Sequence, residues 1–353
     1  MRIRMHRFAL IGGLAVAAGV IAAPAGAHDF CVGTAAQLVN ALEQSSIGGT
    51  YANEDNLIQI RQGTYVASTA TNGNPFTFQG AGTHALVIFG GYIAGCVSRS
   101  SDARTTVLDG NHATQVMRLA NNGGRIALVG LSVINGEAGG NNSGAGAGIN
   151  QNAGDDGNVS VQDVIFAHNH SPSYAGGLAV SVQHGTLSVN ANLFHDNSAD
   201  ISGGAAELNV GEGVAHVWNN TVVQNTTPAT NGAGGMIFHG TSACDCVLAN
   251  NIFWGNSHYG LYLTSGAADL EYNDIGTLGG STPTTQVGNV SMTPYFADGA
   301  TNDFHLTSAS PLLGNTPLTP TATDLDGHAF GPGSASLGDY GAYFDTIFAN
   351  HFD

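Results

Sequence analysis

The chain has 353 residues, 51 of them glycine, and charged residues make up only 9 %. It has no lysine, and its formal charge of −17 excludes nucleic-acid binding through clustered cations. Its 42 % hydrophobic content argues against wholesale disorder, and glycine shows no three-residue period, which excludes collagen.

The first element is a leader. Arg2, Arg4 and Arg7 precede an uncharged apolar run over residues 8–23, and small residues Ala25 and Ala27 stand at −3 and −1 of a cleavage site. Residues 1–27 therefore read as a signal peptide and His28 as the mature amino terminus. The run is too short for an anchor, since a span needs about 20 apolar residues. No later stretch qualifies, so no transmembrane segment is expected in the mature chain. The expected location is outside the cell or on its surface.

Five arginines against 25 acids give the mature chain a formal charge of −20. All five lie at or before Arg125, and 19 acids follow with no lysine or arginine. Those carboxylates must be solvated, hydrogen-bonded or metal-bound. Export permits disulfides. Cys31 and Cys96 are expected to bridge. Cys244 and Cys246 form a strained bridge or two buried thiols, with the thiols favoured.

Thr34 and Gln37 make a capping box ahead of Leu38, Val39, Ala41 and Leu42 at helical spacing. A short helix over about 34–44 is expected to plug one end of the fold. Short runs with a period of two follow, split by glycine and asparagine. Asn169, Asn197, Asn225 and Asn256 recur at intervals of 28, 28 and 31 residues, each trailed by a Gly-Gly or Tyr-Gly step. No such unit buries an apolar face alone, but stacked units do. Three short strands in about 28 residues match one coil of a parallel β-helix. About ten coils fit the chain, a rod of roughly 45–50 Å at the strand spacing.

Stacking assigns columns. Val161, Val189, Val217 and Leu248 line the interior, as do Phe166, Phe194, Val222 and Phe253. Asn192, Asn220 and Asn251 form an amide ladder, and Asn169, Asn197, Asn225 and Asn256 form a second at a turn. The Gly-Gly pairs suit a corner too tight for Cβ. The solenoid is expected over 28–300, and the proline-rich 301–353 as an irregular wrap.

The helix, Ile58-Gln-Ile-Arg-Gln-Gly-Thr-Tyr65 and Thr106-Val-Leu-Asp-Gly-Asn111 resemble the start of the pectin-lyase-like right-handed parallel β-helix superfamily. Phe166-x-x-Asn169 with Gly176-Gly177, and Phe194-x-x-Asn197 with Gly203-Gly204, resemble polymorphic outer-membrane-protein repeats. Pro294, Asp303-Phe-His-Leu306, Ser310-Pro-Leu-Leu313, Asp324-Leu-Asp-Gly327 and Leu337-Gly-Asp-Tyr340 resemble a choice-of-anchor Q domain. The resemblance implies an exported or surface-exposed protein, largely without assigned activity.

The superfamily includes polysaccharide lyases and hydrolases. A uronate lyase needs cations against the substrate carboxylate, and residues after Arg125 supply none. A neutral-glycan hydrolase needs two carboxylates. The outward cluster is Asp163, His168, His170, His195, Asp196, Asp200 and Glu207, with His168, His195 and Asp196 as catalytic candidates. Trp218 and Trp254 are candidates for stacking on sugars. Asp324 and Asp326, beside Gly327, are candidates for calcium, and no cofactor is required. The expected function is binding or adhesion to glycans or a cell-surface partner, with a polysaccharide-active enzyme as the alternative.

Overall fold

The computed structural model describes residues 25–80, 82–121, 123–140, 143–151, 157–316, 324–326 and 340–343. Most of the expected signal peptide and much of the expected wrap over 301–353 lie outside these residues. Strands dominate, and 22 of them join in one wound parallel sheet. The expected all-β parallel solenoid is the observed fold.

The helix spans Ala35–Ser45 and buries Leu38, Ala41 and Leu42 against the first coils. Thr34 Oγ1 accepts from Gln37 N at 3.2 Å. The Gln37 side chain returns to Gly33 N at 2.8 Å rather than to Thr34 N, so the reciprocal half of the box is displaced by one residue. Among the described residues no helix is long and apolar enough to cross a membrane.

Each full coil has three faces. The first face begins with His28–Val32, Asn56–Arg61 and Leu86–Tyr92, and ends with Asp269–Glu271 and Thr285–Val287. The second runs from Gly63–Val66 through Leu193–His195, Thr221–Val223 and Ile252–Trp254. The third runs from Phe76–Gln79 and Met117–Asn121 through Met236–Gly240 and Leu261–Leu263 to Leu278–Gly280. Long strands such as Leu178–Asn190 and Ala206–Trp218 turn from the third face to the first at Gly185 and Gly213, whose φ values are +116° and +124°. A Cβ on Gly213 would run into the Gly185 carbonyl one coil below. The Gly-Gly corners obey the same constraint, since a Cβ on Gly204 would meet the Gly234 carbonyl.

The register is the one the repeats dictate. Val161 pairs with Val189, Val189 with Val217, and Val217 with Leu248, all fully buried. Phe166 stacks on Phe194 with ring centroids 4.9 Å apart and planes 6° from parallel, which is the rung spacing itself. Burying a side chain of this kind stabilises by about 1.5–3 kcal/mol, and the repeat multiplies that gain along the axis.

Two asparagine ladders fix the corners. Between the first and second faces runs Asn192, Asn220, Asn251, Asn273 and Asn289. After the second face runs Asn169, Asn197, Asn225 and Asn256. The residue before each rung is left-handed: Ala191, Asn219, Asn250, Tyr272 and Gly288 at one corner, where Asp163 does the same before Val164, and His168, Asp196, Gln224 and Gly255 at the other. The chain thus pivots in the αL region and then locks the turn with the next amide.

The second face is apolar outside as well as inside. Ile165, Ala167, Leu193, Val223 and Ile252 point outward and are buried. The tail covers them: an antiparallel hairpin, Phe296–Asp298 with Asp303–Leu306, lays Phe304 over this face, joined by Leu325, Ala342 and Tyr343. Strands buried on both sides read as continuous apolar runs, which is how Val164-Ile165-Phe166-Ala167 appears in the sequence.

Cys31 and Cys96 are brought to disulfide-bonding distance with Cα atoms 5.8 Å apart, as expected. For Cys244 and Cys246 the less favoured of the two expectations holds: they are paired, with Cα atoms 5.4 Å apart, rather than two buried thiols. Two residues apart on a strand, their side chains leave the backbone toward one face.

Candidate functional site

The cluster drawn from the sequence is divided among four places. Asp163 sits buried in the left-handed position of the first corner, where its Oδ2 accepts from Gln162 Nε2 at 3.1 Å. Burial pushes its carboxyl up to about 7; Asp324 adds to the rise, while Gln162 and Arg99 oppose it. His170, just past the second corner, lies between Glu137 at 2.8 Å and Asp200 at 3.3 Å. Glu207 faces outward from the third face, 3.1 Å from His239 Nε2.

His168, His195 and Asp196 do meet, at the second corner. His195 projects outward from the second face and is buried beneath Phe304, with ring centroids 5.5 Å apart. Its Nδ1 lies 2.8 Å from Asp196 Oδ2. Burial lowers the His195 pKa, and His168 adds to that, against the pull of Asp196. His168 is exposed, and its ring stands edge-on to His195 at 5.5 Å.

These two histidines line a cavity of about 450 Å³ under the tail, together with Asp303, His305, Arg104 and Tyr343. His305 is clamped there, Nε2 at 2.6 Å from Asp326 Oδ2 and Nδ1 at 2.5 Å from Asp303 Oδ1. The bond to Asp326 is the main cause that holds the His305 pKa up, at about 9. Arg104 Nη2 donates to the other Asp326 oxygen at 2.7 Å. Asp326 therefore faces two cationic groups, and calcium there would have to displace them. Asp324 is fully buried near Asp163.

The third face carries a second opening, a groove of about 410 Å³. Register places Arg118, Gly148, Ala179 and Glu207 in one outward column, one per coil. Gly148 and Ala179 leave the floor low between the exposed Arg118 and the half-buried Glu207. Gln79, Ser181 and Asn209 line it beside them. Beneath, the buried Gln115 amide donates to the Gly144 carbonyl at 2.6 Å and ties the strand to the next coil. Among the described residues Glu207 is the single carboxylate that lines this groove.

The tryptophans lie elsewhere. Trp218 is on the first face, its ring stacked on His216 at 4.2 Å. Trp254 is half-buried at the edge of the tail and, like Phe296, packs against the apolar side chains that the tail covers. Of the groove's side chains only Glu207 stands out in the sequence. Arg118, Ser181 and Asn209 carry no motif, and their one signal is that they occupy outward positions of a period-two pattern.

Neither models of known protein families nor curated proteins show a match to this chain.

Proposed function

We propose that the protein is an exported or surface-displayed β-solenoid whose third face binds glycan chains. The observation that carries this reading is the groove itself, polar along its sides, low in the middle and aligned across four stacked strands. Four rungs span about 14 Å, room for a short oligosaccharide segment. Amides, a hydroxyl, one guanidinium and one carboxylate can each bond sugar hydroxyls, and the rigid stack holds them without an ordering cost. Hydrolysis needs two carboxylates about the scissile bond, and the described lining offers one. Binding without turnover is therefore favoured over the neutral-glycan hydrolase.

Export rests on the leader and on the Cys31–Cys96 pair, which an oxidising compartment sustains. The right-handed pectin-lyase-like lineage, with outer-membrane-type repeats and a choice-of-anchor Q-like tail, belongs to this reading and draws support from the stacked columns. A structural calcium at Asp324 and Asp326 is a secondary proposal, and identical melting curves in calcium and sodium at matched ionic strength would dismiss it.

The test is a panel of neutral and acidic polysaccharides incubated with purified protein. Retention is read by affinity electrophoresis, and turnover by new reducing ends and by ultraviolet absorbance of unsaturated sugars. Retention without turnover supports binding, and turnover would establish the enzyme instead.

A further inference from the structure

The second corner brings together two imidazoles and a carboxylate whose donor atoms, one per side chain, all lie within 4.8 Å of one another. We propose that His168, His195 and Asp196 form a binding site for a transition-metal dication of the zinc class, with an open coordination position toward the cavity under the tail.

The arrangement follows from the coil register. Ala167 pairs with His195, so His168 stands opposite Asp196 one coil away. Both corner residues are left-handed, with φ of +56° and +52°. The same column holds Gln224 and Gly255 in the next coils. The ladder amides Asn169 and Asn197 pin the backbone immediately after each. Cβ positions are thereby fixed, and the exposed His168 ring keeps the rotational freedom to close on an ion.

Two imidazoles beside one carboxylate distinguish this trio from the groups in which one imidazole lies between two carboxylates. In the Glu137–His170–Asp200 group both ring nitrogens face carboxylates, and the same holds for His305 between Asp303 and Asp326. His195 Nδ1 lies 2.8 Å from Asp196, so an ion shared with Asp196 would take that nitrogen in place of the hydrogen bond, and Nε2, which has no hydrogen-bond partner among the described residues, would carry the ring proton. His168 has none at either nitrogen among the described residues, where its ring pairs with that of His195. A hydrogen-bonded dyad of His195 and Asp196 alone would leave His168 without a role.

The donor set selects the ion. Calcium and magnesium take oxygen ligands, whereas two imidazoles with one carboxylate suit zinc, cobalt, nickel or copper. Bonds of about 2.0–2.2 Å require the donors to draw in modestly. Three protein ligands leave a fourth position for water or a small ligand, and the cavity of about 450 Å³ lies on that side, with His168 and His195 in its wall.

The test uses the full chain after chelator treatment, titrated with zinc by calorimetry and with cobalt by visible absorption. One equivalent of zinc should bind, and cobalt should show the intense bands of a low-coordinate site with nitrogen ligands. His168→Asn and Asp196→Asn keep a residue tolerant of the left-handed backbone, and each should weaken zinc by more than about tenfold. His170→Asn, two residues from His168, should leave the affinity unchanged. Absence of zinc binding, equal binding in the two corner variants, or a cobalt spectrum like that of the aquo ion would overturn the site. The cobalt spectrum of the unmodified protein decides the matter even if a variant fails to fold.

Discussion

Asn192 and Asn220 lie one coil apart, and the Nδ2 of Asn192 donates to the Oδ1 of Asn220 at 2.9 Å. The same Nδ2 donates to the Val161 carbonyl at 3.0 Å, while Asn220 Oδ1 also accepts from Asn192 N at 3.1 Å. Each amide thus serves the coil before it and the one after. Removing a rung leaves buried groups on both sides without partners, at about 1–3 kcal/mol for each such group. Asn220→Ala should therefore lower the melting temperature markedly. Asn289→Ala, at the open end of the ladder, should lower it less. Equal losses at the two positions, in thermal unfolding followed by circular dichroism, would show that the ladder does not act through stacking.

Stability should fall as pH rises. His305 is held protonated up to about 9 by its bond to Asp326. That contribution is complete below the ordinary histidine value and lost as pH passes through about 9. Asp163 and Asp274 are pushed up to about 7, chiefly by burial. The folded state holds their protons more tightly, so their contribution is complete below the ordinary carboxylate range and lost as pH rises through about 7. All three act in one direction, against the smaller opposing shifts of His195 and His216, whose burial lowers their pKa. Denaturant midpoints at about pH 5, 7 and 9 should decline in that order. Asp163→Asn, which suits a left-handed position, should flatten the first step. Midpoints that climb with pH would contradict the assignment.

The Cys31–Cys96 pair closes a loop with a sequence separation of 65. On the chain-entropy account its loss costs about 4 kcal/mol. The double variant Cys31→Ala, Cys96→Ala should unfold at clearly lower denaturant, with little change in far-ultraviolet circular dichroism. Peptide mapping of protein purified under non-reducing conditions that finds both thiols free would remove the bridge.

The fold was largely legible because a solenoid writes its register into the chain. Asn169, Asn197 and Asn225, spaced by one coil, stack as their spacing requires. The ladder's last rungs were harder to see, since Asn273 and Asn289 follow shorter coils of 22 and 16 residues. The candidate site was less legible. Asp163, His168 and His170 are near neighbours in sequence, yet two corners turn them toward different surroundings. The pairing of Cys244 with Cys246 depends on local backbone geometry that a two-residue spacing does not specify. The groove arises from what Gly148 and Ala179 lack, and small residues on a strand announce no chemistry. The outward apolar positions Ile165 and Leu193 do signal a cover, but only the folded tail shows that Phe304 and Tyr343 supply it.

The most direct test of the central claim fills the groove. Ala179 points outward at its floor, between Gly148 and Glu207 in the register. Ala179→Trp places a large ring there without touching the core, so the melting temperature should hold. The measurement is retention on the glycan that the unmodified protein binds best. The account predicts that retention is lost in Ala179→Trp and weakened in Arg118→Ala. A folded Ala179→Trp protein that binds that glycan as tightly as the unmodified chain would contradict it.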